Sequence, residues 1–527
     1  MEVQIDPLFR LTVFSHFFKI THLQPRVVTI VLRFCQRYVQ MGMVKEHGKM
    51  QYRPVKVWAA RVKDNTEFRF HIGQLKDFLE LMKLNHITPE LFAYYEMPMY
   101  PARSVKIPVK DGWSPRDYQE QGINFILQED PNDNRSRLVC LGTGLGKTFL
   151  SLCAQSRLGT RCLIIVLATY MDKWAGDIAN TLKVKPNEIM LVKGTKAVQN
   201  LISHAQDGEL QSKFIIVSLE TIRNFYKSYE ASPHSEETQA YGCHPEDFAQ
   251  VLQAGTLLID ETHQHLNTVF KILLYTHVPK LVALSATLIS DDPFIDKMQK
   301  LMFPKDIRFL NIQLKKYIKS FAIAYSFEDF KHASIRTTEY GNNVYSHTAF
   351  EKSILRKSVI LNGYIDLIDN ILKLGYFDDY IQGDKAAIFC ASVDMAGKIT
   401  QYLQKKYPKF DVRRYCENDP YENIIEPDIR VTTIISGGTA IDIPNLRTLI
   451  LTNNIKSPVA NLQTMGRLRD LQNRDVKFYY LYCEQIAKHK EYHETKKELI
   501  RDRVLSYKEY RIAKMIPTQV HQKFYRP

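Results

Sequence analysis

Between residues 138 and 290, short apolar runs (LVCL, CLIIVLA, FIIVSL, TLLID and LVALSA) alternate with longer amphipathic or polar stretches. Runs that are apolar on both faces suit strands buried on both sides, and the stretches between them are long enough to return the chain as helices. The series therefore predicts β-α units around a parallel sheet. A second series follows, AAIFCAS, IRVTTII, LRTLILT and VKFYYLYC. The expected fold class is α/β, with two tandem parallel-sheet lobes at 106–300 and 301–484. A small α+β domain at 1–105 precedes them and a basic helical tail at 485–527 follows.

Residues 1–105 show no repeated β-α pattern, and YRPVKVWAARV and EFRFHI read as strands with outward Arg and Lys. Trp58 and its aromatic neighbours are expected in the core. The segment EMPMYPARSVKIPVKDGWSP carries four prolines, which suits an extended linker into the first lobe. Polar, aromatic-rich sequence after residue 301 is assigned to the entrance of the second lobe.

At 527 residues the chain exceeds one ordinary core, and 45% hydrophobic with 24% charged residues describes a globular rather than a disordered protein. No run approaches the roughly 18 apolar residues of a membrane helix, and MEVQIDPLFR lacks the features of a signal peptide. The expectation is an intracellular monomer. Eight cysteines without a Cys-x-x-Cys pair read as reduced thiols, mostly buried. Charge is unevenly placed: residues 1–110 hold 17 Lys/Arg against 9 Asp/Glu, and residues 485–527 hold 11 against 5. The centre of the +14 chain is thus near neutral. Basic ends on a neutral middle fit a polyanion held at the ends, although surface solvation alone gives the same count.

The run Leu141-Gly142-Thr143-Gly144-Leu145-Gly146-Lys147-Thr148 lies between a strand and a helix. Backbone N–H groups of such a turn can surround phosphate oxygens. Lys147 would reach the β- and γ-phosphates, and Thr148 would offer its hydroxyl to Mg²⁺. Leu141 stands where the general P-loop has its first glycine. A bound nucleotide also needs carboxylates, and Leu257-Leu258-Ile259-Asp260-Glu261 supplies two at a strand end, where open α/β sheets bind ligands. Asp260 would hold Mg²⁺ through water and Glu261 would orient or deprotonate the attacking water. Alone, an acidic pair after a strand is an ordinary solvated loop; the P-loop upstream is what gives it meaning.

With these motifs in hand, residues 113–484 resemble a superfamily 2 helicase of DExH type, which implies two RecA-like lobes, ATP and Mg²⁺. Asp260-Glu261-Thr262-His263 resembles the DExH box. Ser285-Ala286-Thr287 resembles the motif that couples hydrolysis to movement, giving His263, Ser285 and Thr287 coupling roles. Arg116-Asp117-Tyr118-Gln119 resembles the element whose glutamine reads adenine and whose aromatic ring stacks on it. LIIVLATYMDKW and IIVSLET resemble strand-end motifs that contact nucleic-acid backbone, with Leu167 in place of the usual proline. In the second lobe, 436–444 resembles the motif that would bring Asp442 to the nucleotide, with Ala440 in a glycine slot. Gln463-Thr464-Met465-Gly466-Arg467-Leu468-Arg469 resembles the motif whose arginines stabilise charge on the γ-phosphate. Asp470 holds the last arginine slot and Arg469 comes one residue early, so Arg467 or Arg469 is the finger.

The compact core with a small basic N-terminal domain also resembles the phage UvsW-type helicases, which implies remodelling of branched DNA in replication, recombination or repair. Arg53, Lys56, Arg61, Lys63 and Arg69 are then candidate DNA contacts, against the plainer reading of a solvated strand face. A duplex translocase, an RNA helicase and a scaffold with a decayed motor carry similar motifs and stay open. His263 and His265 beside a carboxylate are explained by the DExH box and a loop rather than by a transition metal.

Overall fold

In a computed structural model the described residues are 6–46, 49–58, 60–61, 66–128, 134–142, 144–231, 241–286, 292–310, 316–339, 344–416, 419–434, 443–471 and 474–519. The chain forms two compact units, Met1–Asn311 and Ile312–Pro527.

In the first unit, seven strands lie in the order Ile189–Val192, Phe214–Ser218, Cys162–Val166, Thr256–Ile259, Lys280–Ser285, Ser136–Cys140 and Arg308–Leu310, each parallel to its neighbours. Cys162–Val166, Phe214–Ser218 and Thr256–Ile259 are buried at every position, which explains why they read as unbroken apolar runs. Parallel neighbours need crossovers, supplied by helices such as Lys147–Leu158, Met171–Thr181 and Leu266–Leu273. All carboxyl ends therefore share one edge, which collects the glycine-rich turn, Asp260–Glu261 and Ser285.

The second unit repeats the plan, in the order Val412–Tyr415, Ile429–Thr433, Lys385–Cys390, Leu446–Leu451, Val476–Cys483, Ile318–Tyr325 and Ser506–Arg511, again all parallel. The α/β class and the tandem RecA-like lobes are as expected. Two boundaries differ from the sequence expectation. Arg308–Leu310 pairs with Ser136–Cys140 and completes the first sheet, so the division falls after residue 311 rather than 300. The C-terminal segment includes the expected helix, Ala487–Arg501, which buries His489, Tyr492, His493, Lys496 and Ile500. The chain then adds Ser506–Arg511 to the second sheet, so this part of the tail is built into the lobe.

The N-terminal region has a five-stranded sheet, in the order Ala60–Arg61, Glu67–His71, Phe17–Thr21, Arg10–Val13 and Ala93–Glu96, with helices Pro25–Cys35 and Leu75–Leu84. Its core is aromatic: Phe9 stacks on Phe92 at 4.7 Å and Phe34 meets Phe70 edge-on at 5.0 Å. This core continues into that of the first lobe. Buried histidines stitch the two together. His16 donates from Nε2 to the Val278 carbonyl (3.1 Å) and pairs through Nδ1 with Ser136 Oγ (2.9 Å). His71 reaches the Phe270 carbonyl at 3.2 Å, and His277 joins Ser15 and the Pro98 carbonyl. The proline-rich linker runs against the lobe through single bridges, Ser104 to Thr160 and Val109 to Leu182.

Burial holds His16 neutral, its pKa lowered to about 3, and likewise lowers His71 to about 4. A histidine with a depressed folded pKa contributes stability that is present above its unfolded value and lost as pH falls towards the folded one. Acidification below pH 6.5 is therefore expected to loosen this region, by roughly 2–3 kcal/mol per histidine near pH 4.5. Chemical denaturation between pH 7 and 4.5 tests this, and a His16→Gln/His71→Gln variant should show a flatter pH slope than the parent.

Candidate active site

The turn after Ser136–Cys140 starts already tied to its neighbour, because Leu141 N donates to the Ser285 carbonyl at 3.1 Å. Gly146 caps the helix Lys147–Leu158 at φ +75°. A Cβ there would lie 2.4 Å from Gln119 Nε2, so glycine is required both by backbone conformation and by a close neighbour. That neighbour is a brace: Gln119 Nε2 and Tyr118 OH both donate to the Leu145 carbonyl, at 3.1 and 3.0 Å. Gln119 Oε1 accepts from Arg116 N at 2.9 Å, fixing the start of the helix Asp117–Leu127, and an Arg116 guanidinium nitrogen lies 3.4 Å from Tyr118 OH. The Arg-x-Tyr-Gln element and the glycine-rich turn are thus one assembly.

Lys147 is 9% exposed, and its Nζ donates to the Leu141 carbonyl at 3.2 Å. Asp260 sits at the end of Thr256–Ile259, its backbone N bonded to the Ile165 carbonyl of the adjacent strand (3.1 Å). Burial and the neighbouring Glu261 raise its pKa, while Lys147 and the Trp174 N–H pull it down. Trp174 Nε1 donates to Asp260 Oδ2 at 2.8 Å, and Glu261 N to Oδ1 at 2.8 Å. Glu261 adopts φ +44°, a costly backbone state for a residue with a side chain, held by Asp260 on one side and by Thr262 N bonding the Leu284 carbonyl (3.0 Å) on the other. Glu261 Oε2 is buried, makes no hydrogen bond among the described residues, and lies 3.3 Å from His263 Nδ1. Burial lowers His263 to about 4, so the ring is neutral at ordinary pH; it pairs with Ser285 Oγ at 3.1 Å.

A buried ammonium acting on a half-buried carboxylate, with a second carboxylate next to it in sequence, beside a helix N-terminus whose first N–H groups have no intrahelical partners, is a donor set suited to a triphosphate and its divalent cation. Thr148 opens that helix directly after Lys147. Gly142 accepts from Leu145 N at 3.2 Å and Gly144 takes φ +81°. Thr143, Thr287 and Asp442 lie outside the described residues.

In the second unit, Gln463 lies in the helix Pro458–Met465, capped by Ser457 Oγ. The chain turns at Gly466; Arg467 is 2% exposed, and its N donates to the Thr464 carbonyl. An Arg469 guanidinium nitrogen donates back to the Gly466 carbonyl of its own turn. Among the described residues no group of three or more His, Cys, Asp and Glu could hold a metal ion.

The predicted nucleic-acid contacts separate. Arg53 is exposed, and Lys56 forms an ion pair with Asp292. The side chains of Arg61 and Lys63 lie outside the described residues. Arg69 is a correction: it is 3% exposed, paired with Glu67 (2.6 Å) and Glu246 (2.7 Å), and set 4.2 Å over the Tyr275 ring. Alternation marked its strand as amphipathic, but both faces are covered once the N-terminal sheet packs on the lobe. Trp58 is in the core as expected, against Phe270 and Phe294. Trp174 is the site residue that the motif reading passed over. Trp174 ends the run LIIVLATYMDKW, and its N–H, which needs a partner when buried, is the signal that the sequence carries.

Residues 113–290 match the family model described as "Type III restriction enzyme, res subunit". No curated relative matches the sequence. Among solved structures, T4 UvsW is 13% identical (TM-score 0.33, covering 97% of this chain and 100% of that one). The Pyrococcus furiosus Hef helicase domain is 14% identical (TM-score 0.45; 72% and 98%). S. cerevisiae Dbp5 bound to RNA and ADP BeF3 is 12% identical (TM-score 0.47; 77% and 90%).

Trp174→Phe keeps the aromatic packing and removes the hydrogen bond that orients Asp260. Groups that hold a metal-binding carboxylate typically contribute tenfold or more to metal affinity. The Mg²⁺ concentration for half-maximal ATPase should therefore rise about tenfold, while metal-free nucleotide binding stays put. An unchanged Mg²⁺ titration would reduce Trp174 to a packing role.

Proposed function

We propose that the protein is a nucleic-acid-stimulated ATPase that uses hydrolysis to unwind or remodel branched DNA, such as forks and junctions, in replication, recombination or repair. The observation that carries the motor reading is the placement of buried Lys147 at the glycine-rich turn and of Asp260 and Glu261 at the carboxyl edge of one parallel sheet, with Lys147 close enough to act on Asp260. The branched-DNA reading is supported by the motif layout shared with UvsW-type helicases and by the basic ends of the chain.

In this reading, Lys147 and the N–H groups of the glycine-rich turn hold the phosphates, while Arg116, Tyr118 and Gln119 place the base. Thr148 and Asp260 hold Mg²⁺, which when bound neutralises charge on the phosphates. Burial and Glu261 raise the pKa of Asp260, and Lys147 and the Trp174 N–H pull against that rise. Glu261, with one oxygen buried and no hydrogen bond to it, orients the attacking water and takes its proton. Neutral His263 relays the state of Glu261 to Ser285, whose carbonyl holds Leu141 at the start of the turn; Thr287 shares this coupling. Gln463 and Asp442 serve the second unit's part in turnover, and Arg467 or Arg469 brings positive charge to the γ-phosphate. Arg467 is favoured, because it stands in the motif's own arginine slot while Arg469 comes one residue early.

Lys147→Ala should abolish turnover. Glu261→Gln should lower kcat by about 10²–10⁴ with nucleotide affinity within a few fold, because it removes a base and leaves the phosphate contacts. Loss of nucleotide binding in Glu261→Gln would make that residue structural. ATPase rates with single-stranded, duplex, forked and four-way DNA and with RNA test the substrate. Greatest stimulation by forked or four-way DNA is expected. Stimulation by RNA alone would assign an RNA helicase, stimulation by duplex without strand separation a translocase, and no turnover at all a scaffold.

A further inference from the structure

From the N-terminal region the chain extends a two-stranded antiparallel ribbon, Val39–Glu46 paired with Lys49–Val57, which among the described residues joins none of the three larger sheets. At about 3.3 Å per residue each arm reaches roughly 25 Å. Met43 pairs with Tyr52, and Met50 lies two residues from Tyr52, so all three share a face. They are 57%, 66% and 58% exposed. On the other face Val55 closes over Gly42, where a Cβ would lie 3.0 Å from Val55 Cγ1.

The base of the ribbon is fixed. Trp58 N donates to the Tyr38 carbonyl at 2.9 Å, both rings meet Phe270, and Lys56 pairs with Asp292. A two-stranded ribbon has little stability of its own, so these contacts hold it to the lobe that carries Lys147 and Asp260. The methionine and tyrosine face contributes nothing to that anchoring. Large apolar side chains kept in solvent on a fixed arm indicate a partner.

The charge identifies that partner. Apart from Lys56, which Asp292 holds, Val39–Val57 contains Lys45, Lys49 and Arg53 against Glu46 alone. An excess of cations in a ribbon with one aromatic, apolar face matches a strand of phosphates with exposed bases. Paired bases show a groove only their polar edges, whereas flat apolar surface appears where stacking is interrupted. Resting on the motor reading above, we propose that this ribbon is a nucleic-acid arm that packs Met43, Met50 and Tyr52 against unstacked bases where a DNA duplex opens at a branch. Because its base is fixed to the ATP-site lobe, the arm moves with that lobe.

The test uses the full chain and a forked DNA with 2-aminopurine in the base pair at the branch, beside a blunt duplex of equal length. The parent should raise 2-aminopurine fluorescence on binding without ATP. A Met43→Ser/Tyr52→Ser variant should lose most of that rise and bind the fork about tenfold more weakly, with blunt-duplex affinity changed far less. Its thermal midpoint should match the parent, since both side chains face solvent. Arg53→Gln should instead weaken fork and duplex alike and shallow the salt dependence. Equal fork affinity and fluorescence in the serine variant, or equal losses on fork and duplex, overturns the proposal while leaving the motor reading intact. A parent that neither binds DNA nor is stimulated by it removes both.

Discussion

Everything in the first unit is arranged around charges that burial makes expensive. Lys147 is buried at one sheet edge, beside the half-buried Asp260 and Glu261, where an unpaired ion costs several kcal/mol. The fold meets this with backbone rather than with a closed side-chain cage. Leu141, Asp260 and Thr262 are each bonded to a neighbouring strand, so the turn, the acidic pair and Ser285 are positioned by the sheet ladder. Side chains then set the electrostatics: Trp174 and Lys147 hold Asp260 towards its ionised form, and a neutral His263 stands beside Glu261. Such a site is ready for a polyanion and a cation because its own charges have not been fully spent on one another.

The same accounting applies to the N-terminal region with the opposite outcome. Arg69 is surrounded by Glu67, Glu246, the Leu274 carbonyl and the Tyr275 ring, and Lys19 shares Glu246 at 2.8 Å. These charges are satisfied internally and join the N-terminal sheet to the lobe. Neutral histidines do similar work with carbonyls, which avoids burying further ions.

How much of this was legible follows from the range of the signals. Lys147, Asp260, Glu261 and Ser285 were readable because chemistry fixes their residue types and strand ends fix their places. The two lobes were readable because strands buried on both faces leave continuous apolar runs. Arg308–Leu310 and Ser506–Arg511 were not, since edge strands covered on fewer sides carry mixed composition, as RFL and SYKEYR do. Trp174 and Gln119 owe their roles to partners 86 residues away at Asp260 and 26 away at Leu145, which no local pattern encodes. Arg69 misled for the same reason: an arginine in a strand looks outward until the acid it meets, 177 positions later, is known.

That last point changes what the basic charge of the N-terminal region means. Its excess of Lys and Arg reads as a footprint for a polyanion, yet Lys19, Lys56 and Arg69 are held in ion pairs with Glu246, Asp292, Glu67 and Glu246 again. Charges engaged in this way attract phosphate weakly, because each new contact must displace an existing one. What distinguishes a binding surface here is therefore exposure together with something for the ligand to pack on. Among the described side chains the ribbon combines an exposed arginine with exposed methionine and tyrosine, on a base fixed by Tyr38 and Trp58. Local placement of a few side chains, more than the regional charge total, decides where a nucleic acid would be held.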